Sequence, residues 1–176
     1  MPFIEDLLVE LQMGGKKALK TVVFARTREE VRNLWAFFRY HLPEAKKNLI
    51  DMYMSVTEEP IKKYIATEFT KPNSKIRLLV ATSAFGLGVD CRGLKRVVHW
   101  TLPTVFDDFV QQVGRAGRDG RLAISIVFTD GTHQGLDEAM REYLTTGDCR
   151  KEVISRFYDH AITDCHPTCC NNFHLP

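Results

Sequence analysis

Apolar residues along the chain fall into short β-branched runs separated by stripes with helical spacing. Thr21-Val22-Val23-Phe24-Ala25 has strand length and composition. Val31, Leu34, Trp35 and Phe38 then recur at i, i+3, i+4 and i+7, with Arg and Glu between them and Pro43 as a stop signal. Leu49 to Tyr53 predicts a second strand. Thr57 is the expected N-cap of a helix whose inner stripe is Ile61, Tyr64, Ile65 and Phe69. After the turn Lys71-Pro72-Asn73-Ser74, Ile76 to Ala81 is an almost unbroken apolar strand, the pattern of a parallel sheet buried on both faces.

The alternation continues. Lys95 to Trp100 predicts a strand, and Thr104 caps a helix with Phe106, Phe109, Val110 and Val113 inward. Leu122 to Phe128 is a last strand, followed by a polar helix from about Asp137 to Leu144. Strands and helices in this order imply right-handed βαβ units, an α/β fold with a parallel sheet covered by helices on both faces. The main domain is expected over residues 1–146, and a short helical cysteine-rich tail over 147–176.

Composition narrows the partners only slightly. The 176 residues are 44% apolar and 26% charged, a globular balance, and the net charge of +2 does not by itself argue for nucleic acid. No apolar run approaches the roughly 20 residues of a membrane-spanning helix. The N-terminus carries Glu5 and Asp6 where a signal peptide carries Lys or Arg. A nuclear or cytoplasmic location is expected, the nucleus if the source is eukaryotic. Disulfides are disfavoured there, so the five cysteines, four of them at or beyond Cys149, need another explanation.

Two segments do not serve core-building. Ala81-Thr82-Ser83-Ala84-Phe85-Gly86-Leu87-Gly88-Val89-Asp90 leaves the C-terminal end of a buried strand, where open α/β sheets place ligands. Its small hydroxyl residues and glycines suit phosphate oxygens, and suit an ordinary strand-to-helix loop equally well. Gln111-Gln112-Val113-Gly114-Arg115-Ala116-Gly117-Arg118-Asp119-Gly120-Arg121 ends a helix with three arginines spaced by three among glycines. Guanidinium forks match phosphate geometry; the plainer reading is a solvated basic turn.

Together these segments resemble superfamily-2 helicases of the RecQ type. Residues 81–90 resemble motif V. Val98-His99-Trp100-Thr101-Leu102-Pro103 followed by 111–120 resembles motif VI and its approach, and Val22 to Arg28 resembles motif IV. The resemblance covers most of residues 20–130 and implies a RecA-like second motor lobe of an ATP-dependent 3′-to-5′ DNA helicase, working with ATP and Mg²⁺. It implies that Arg115 or Arg118, or both, reach the γ-phosphate as an arginine finger. Gln111 then couples the nucleotide and DNA sides, and Gly88 and Asp90 line the inter-lobe cleft. Arg26, Thr27, Thr82 and Ser83 touch the DNA backbone, single-stranded or at a duplex junction.

The sequence departs from the family after the second strand, where Tyr53-Met54-Ser55-Val56 replaces a Tyr-His-x-Gly stretch. There is no Gly-x-x-x-x-Gly-Lys-Ser/Thr phosphate loop and no Asp-Glu-x-His, which the family carries on its first lobe. The chain alone is therefore expected to be inactive. The alternative is a catalytically dead remnant that only binds DNA or protein. A DEAD-box RNA helicase lobe is disfavoured by Gln111, where that family has His.

RecQ-type enzymes follow the second lobe with a zinc module opening on Cys-Arg, here Cys149-Arg150. The helix there is expected to turn Val153, Ile154 and Phe157 inward. The resemblance implies Cys149, Cys165, Cys169 and Cys170 as ligands, with His166 or His174 as substitutes, because Phe173 stands where the family has its last Cys. A metal-free module and free surface thiols are the other readings. Cys91, Trp35 and Phe38 are expected to pack, His99 to pack or line the cleft, and Lys16-Lys17 to form a solvated turn.

Overall fold

The computed structural model describes residues 2–86, 91–129, 131–160 and 169–172. Five parallel strands form one sheet: β1 (Thr21–Phe24), β2 (Ile50–Tyr53), β3 (Leu78–Ala81), β4 (Arg96–His99) and β5 (Ile124–Val127), in the order β2-β3-β1-β4-β5. Val22 lies between Leu79 and Val97, and Phe24 between Ala81 and His99, so the central strands are in register at the edge from which their loops depart.

Side-chain alternation assigns the two faces. Val23, Val80 and Val98 pack with Ile4, Leu7, Leu8 and Leu11 of α1 (Pro2–Gly14) and with Val31, Leu34 and Phe38 of α2 (Arg28–His41). Val22, Phe24, Leu79 and Val97 pack on the opposite face with Ile65 and Phe69 of α3 (Glu59–Thr70), and with Phe85, Cys91 and Leu94. The expected sheet with helices on both faces is present. Helix α1 was not anticipated, although Ile4, Leu7, Leu8 and Leu11 follow the helical spacing. It is fastened by Glu10, whose carboxylate takes two hydrogen bonds from Arg96 at 2.9 Å and one from the Leu19 N–H at 2.7 Å.

Two details of α3 differ from expectation. Glu58 occupies the cap position without a side-chain bond, while the Thr57 hydroxyl accepts the Met54 N–H at 3.2 Å. Ile61 and Tyr64 are exposed, and Glu68 joins Ile65 and Phe69 inside. A 12-residue helix runs about 18 Å whereas a four-residue strand spans about 13 Å, so α3 outruns the strand and Ile61, in its first turn, is left uncovered. Glu68 is tolerated inside because it accepts the Lys75 N–H at 2.9 Å and pairs with Lys71 at 2.7 Å.

The chain divides into two compact units, residues 1–102 with 111–130 and residues 103–110 with 131–176. The second contains the start of α4 (Phe106–Val113), α5 (Glu138–Thr145) and α6 (Arg150–Phe157). There the expected Thr104 cap is replaced by Asp137. One carboxylate oxygen accepts the Phe106 N–H and the other the Met140 N–H, each at 2.7 Å, so a single side chain caps α4 and α5. Phe106 and Phe109 pack on Tyr143, and Phe106 meets Phe157 edge-on at 5.0 Å. Val153 is buried and Phe157 is half-exposed. Among the described residues no helix is long and apolar enough to cross a membrane.

Candidate functional site

The loops after β1, β3 and β4 emerge at the same edge of the sheet. The Ala25 N–H extends the β1–β3 pairing to the Ala81 carbonyl at 2.9 Å, and the Arg26 N–H donates to the Thr101 hydroxyl at 2.7 Å. Thr27 caps α2: its hydroxyl accepts the Glu30 N–H at 3.1 Å, while Glu30 accepts the Thr27 N–H at 2.8 Å. Thr82 is buried, its N–H on the Tyr53 carbonyl at 3.1 Å; Arg26, Thr27 and Ser83 are exposed. The fold thus brings the loops carrying Arg26, Thr27, Thr82 and Ser83 to one edge, and adds Thr101. Gly88 and Asp90 lie outside the described residues.

The arginine segment begins in the last turn of α4. Gln111 is exposed, whereas Gln112 is buried with its side-chain oxygen 3.0 Å from Nε2 of His99. His99 has no exposed surface and stacks on Phe24 at 5.6 Å. Burial lowers its pKa from 6.5 to about 4, with the Gln112 hydrogen bond opposing, so the ring is neutral near pH 7. As expected, His99 and Cys91 are buried packing residues.

Beyond α4, the Arg115 N–H donates to the Gln112 carbonyl at 3.3 Å and the Gly117 N–H to the Leu94 carbonyl at 3.3 Å. Gly117 has φ +71°, and a Cβ there would stand 3.2 Å from the Arg121 carbonyl, so the turn requires glycine. Lys95 pairs with Asp119 at 3.3 Å. Within this frame the arginines separate. Arg115 is 5% exposed, while Arg118 is exposed and bonds the Gly114 carbonyl through Nε at 3.1 Å. Burial pulls the Arg115 guanidinium below its usual range; Cys91 opposes this and Arg118 adds to it. A guanidinium remains charged regardless.

In the second unit, the Sγ atoms of Cys149, Cys169 and Cys170 all lie within 4.8 Å of one another. The Cys149–Cys169 and Cys149–Cys170 separations are 3.0 and 4.0 Å. Arg150 gathers this cluster: its N–H meets Cys170 Sγ at 3.4 Å, Nε bonds the Tyr143 carbonyl at 3.1 Å, and Nη1 reaches Asn171 and Asn172. Asn172 returns two hydrogen bonds, to the carbonyls of Thr146 at 2.7 Å and Asp148 at 3.0 Å. Cys165, His166, Phe173 and His174 lie outside the described residues.

Residues 3–120 match the family model described as "Helicase conserved C-terminal domain". The chain belongs to this family. The "ATP-dependent DNA helicase Q4" of Mus musculus is 32% identical over 151 residues, covering 78% of this chain and 12% of that protein. The "ATP-dependent RNA helicase RhlB" of Pseudomonas syringae pv. tomato is 36% identical over 109 residues, covering 62% of this chain and 26% of its own length. The DUF1998 helicase MrfA, solved bound to DNA and AMPPNP, superposes with a TM-score of 0.63 at 22% identity, over 88% of this chain and 20% of that one. The chain therefore spans about a quarter or less of each of these proteins. Its fold is that of the RecA-like C-terminal lobe of superfamily-2 helicases, and its relatives include RecQ-like helicases.

The helicase lobe's cysteine tail fits a metal in its donor set. Zinc–sulfur bonds of about 2.3 Å place tetrahedral sulfurs roughly 3.8 Å apart, between the two separations found here. Burial and adjacent Cys170 push the Cys169 thiol up, a crowding that a divalent cation would relieve. Cys149 is in a disulfide in this structure and Cys169 and Cys170 are free thiols, so metal binding requires Cys149 to be reduced. Thr101, Gln112 and Asn172 were given no role from the sequence, and Arg150 only that of following Cys149. Most of their partners lie between 20 and 75 positions away; the nearer ones are His99, 13 positions from Gln112, and Tyr143, 7 from Arg150.

Proposed function

We propose that this chain is the second motor lobe of an ATP-dependent DNA helicase of RecQ type, translocating 3′ to 5′. The observation that carries the reading is the glycine-framed turn 114–120, which holds one arginine sunk and one projecting. Such a pair suits a phosphoryl group presented by another lobe. ATP and Mg²⁺ would be held by that lobe, the metal neutralising charge on the β- and γ-phosphates. Arg115 or Arg118, or both, supply the remaining positive charge as it develops on the transferring group. Gln111, at the end of α4, couples this site to the nucleic acid.

Arg26, Thr27, Ser83 and the Thr101 hydroxyl form a strand-edge surface for backbone phosphates, with buried Thr82 reaching them only if the loop after β3 opens. Contacts of this type carry little sequence information, as a translocating motor requires. Where Thr27 already caps α2, its contribution to phosphate is through the loop it shapes. In the tail, Cys149, Cys169 and Cys170, with Cys165, would hold a structural Zn²⁺. Arg150 and Asn172 would orient that cluster. The chain by itself lacks a phosphate loop, and by itself it should turn over no ATP.

The test is a two-lobe protein that joins this lobe to a phosphate-loop lobe, assayed for DNA-stimulated ATP hydrolysis. Replacing the finger should lower kcat by about 10³ or more. If neither Arg115→Ala nor Arg118→Ala changes turnover, the reading fails. The 36% identity to an RNA helicase favours RNA as a second substrate class. Competition between single-stranded DNA and RNA of equal length decides between them. Failure to hydrolyse ATP with any supplied first lobe would instead favour a remnant that only binds.

A further inference from the structure

Two buried cations of the first unit are held by neighbours that serve the sheet. Lys20 donates to the carbonyls of Lys71 and Arg92 at 3.2 and 3.0 Å, and Arg96 pairs with Glu10 at 2.9 Å. The His99–Gln112 contact is different, because it joins a central strand to the segment that carries the arginines. His99 is fully buried and Gln112 is 4% exposed, so neither exchanges its partner for water. The His99 ring lies nearly parallel to Phe24, with 22° between the planes, which limits its rotation. An unpaired buried amide is costly, and a hydrogen bond, unlike an apolar contact, fixes direction as well as proximity.

Gln112 then passes this restraint on. Its side chain is held by His99 while its carbonyl accepts the Arg115 N–H at 3.3 Å. Two residues after Arg115, the Gly117 N–H is held by the Leu94 carbonyl, also at 3.3 Å. Arg115 therefore sits between a tie to the end of β4 and a tie just before β4 begins. Its Nε has essentially no solvent-accessible surface. Without the first tie, the last turn of α4 could rotate or slide while its apolar residues stayed covered.

We propose that His99 and Gln112 are positioning residues whose buried hydrogen bond fixes the end of α4 and so holds the Arg115 side chain sunk in one place. This rests on the reading of Arg115 as a group that meets phosphate, and it extends that reading to what pre-orients the group. Neither residue touches the nucleotide in this account; both act through the last turn of the helix.

The experiment follows hydrogen exchange at Arg115 Nε–H in the isotopically labelled full chain, against the backbone amides of Val22 and Leu79 in the central strands. The strand amides report global unfolding, so the ratio of the two rates isolates local release of the arginine. In Gln112→Leu, and in the double variant His99→Leu with Gln112→Leu, the ratio should rise about tenfold or more, because an apolar pair packs without fixing direction. His99→Gln, which can still bond the amide, should keep the ratio close to that of the unsubstituted chain. A ratio unchanged in both Leu variants, with arginine and strand amides accelerating together, would overturn the proposal. Loss of protection in His99→Gln equal to that in the Leu variants would overturn it as well. Turnover data showing that Arg115→Ala is neutral would instead remove the phosphate reading, while leaving the exchange result standing.

Discussion

Acid should weaken this fold through one buried imidazole. His99 has its pKa lowered from 6.5 to about 4 because burial penalises the charged ring. The unfolded chain therefore takes up the proton at a higher pH than the folded chain does, and protonation favours unfolding. The contribution is complete above about pH 6.5, is lost as pH falls towards 4, and levels off below that, where both states are protonated. The gap between the two values corresponds to roughly 3 kcal/mol, a large share of the 5–15 kcal/mol typical of such a domain. Carboxylates held low, such as Glu68 beside Lys71, fade mainly below this window and do so in any variant. The measurement is the denaturant midpoint of the unsubstituted chain and of His99→Gln at several pH values between about 7 and 4.5. His99→Gln should start less stable or equal at neutral pH, and the difference should shift in its favour by about 2–3 kcal/mol on acidification. A difference that stays flat within about 0.5 kcal/mol would show that His99 does not remain neutral in the fold, and the burial argument would be wrong.

Three further outcomes are expected. Gly117→Ala should destabilise the chain by about 1–2 kcal/mol, since it forces a side chain into a positive-φ position and against the Arg121 carbonyl; a change below about 0.3 kcal/mol in the denaturation midpoint would contradict this. Asp137→Ala removes the caps of two helices at once and should cost roughly 2–4 kcal/mol, whereas Asp137→Asn should recover at least half; equal losses in the two variants would mean that capping is not what Asp137 does. Reduced protein refolded with zinc should retain about one equivalent per chain, and chelation should selectively broaden the resonances of α6 and residues 169–172. Retention of the metal after Cys169→Ser with Cys170→Ser would place the zinc elsewhere.

How much of this was legible locally depends on where each residue's partner lies. The stripe Val31, Leu34, Phe38 and the β-branched runs of β1 and β4 locate their elements because burial of one face imposes its period on adjacent residues. Helix α1 obeys the same rule through Ile4, Leu7, Leu8 and Leu11, so its pattern is legible in the sequence too. The glycine-framed arginines and the Cys149-Arg150 pair are equally visible as residue types. Ile61 and Tyr64 share the helical face of buried Ile65 and Phe69, yet both are exposed. A hydrophobic stripe does not record where the sheet beneath it stops.

The sequence by itself therefore determined the alternation of strands and helices, the parallel sheet it implies, and the segments in which chemistry is concentrated. Tertiary structure alone decided that Asp137 caps two helices, that Arg115 is sunk while Arg118 projects, and that His99 meets Gln112. It also decided that Arg150 and Asn172 close the cysteine cluster. Each of these depends on a directional hydrogen bond or on burial supplied by a distant strand or loop, and no local period encodes the identity of a partner that only folding brings near.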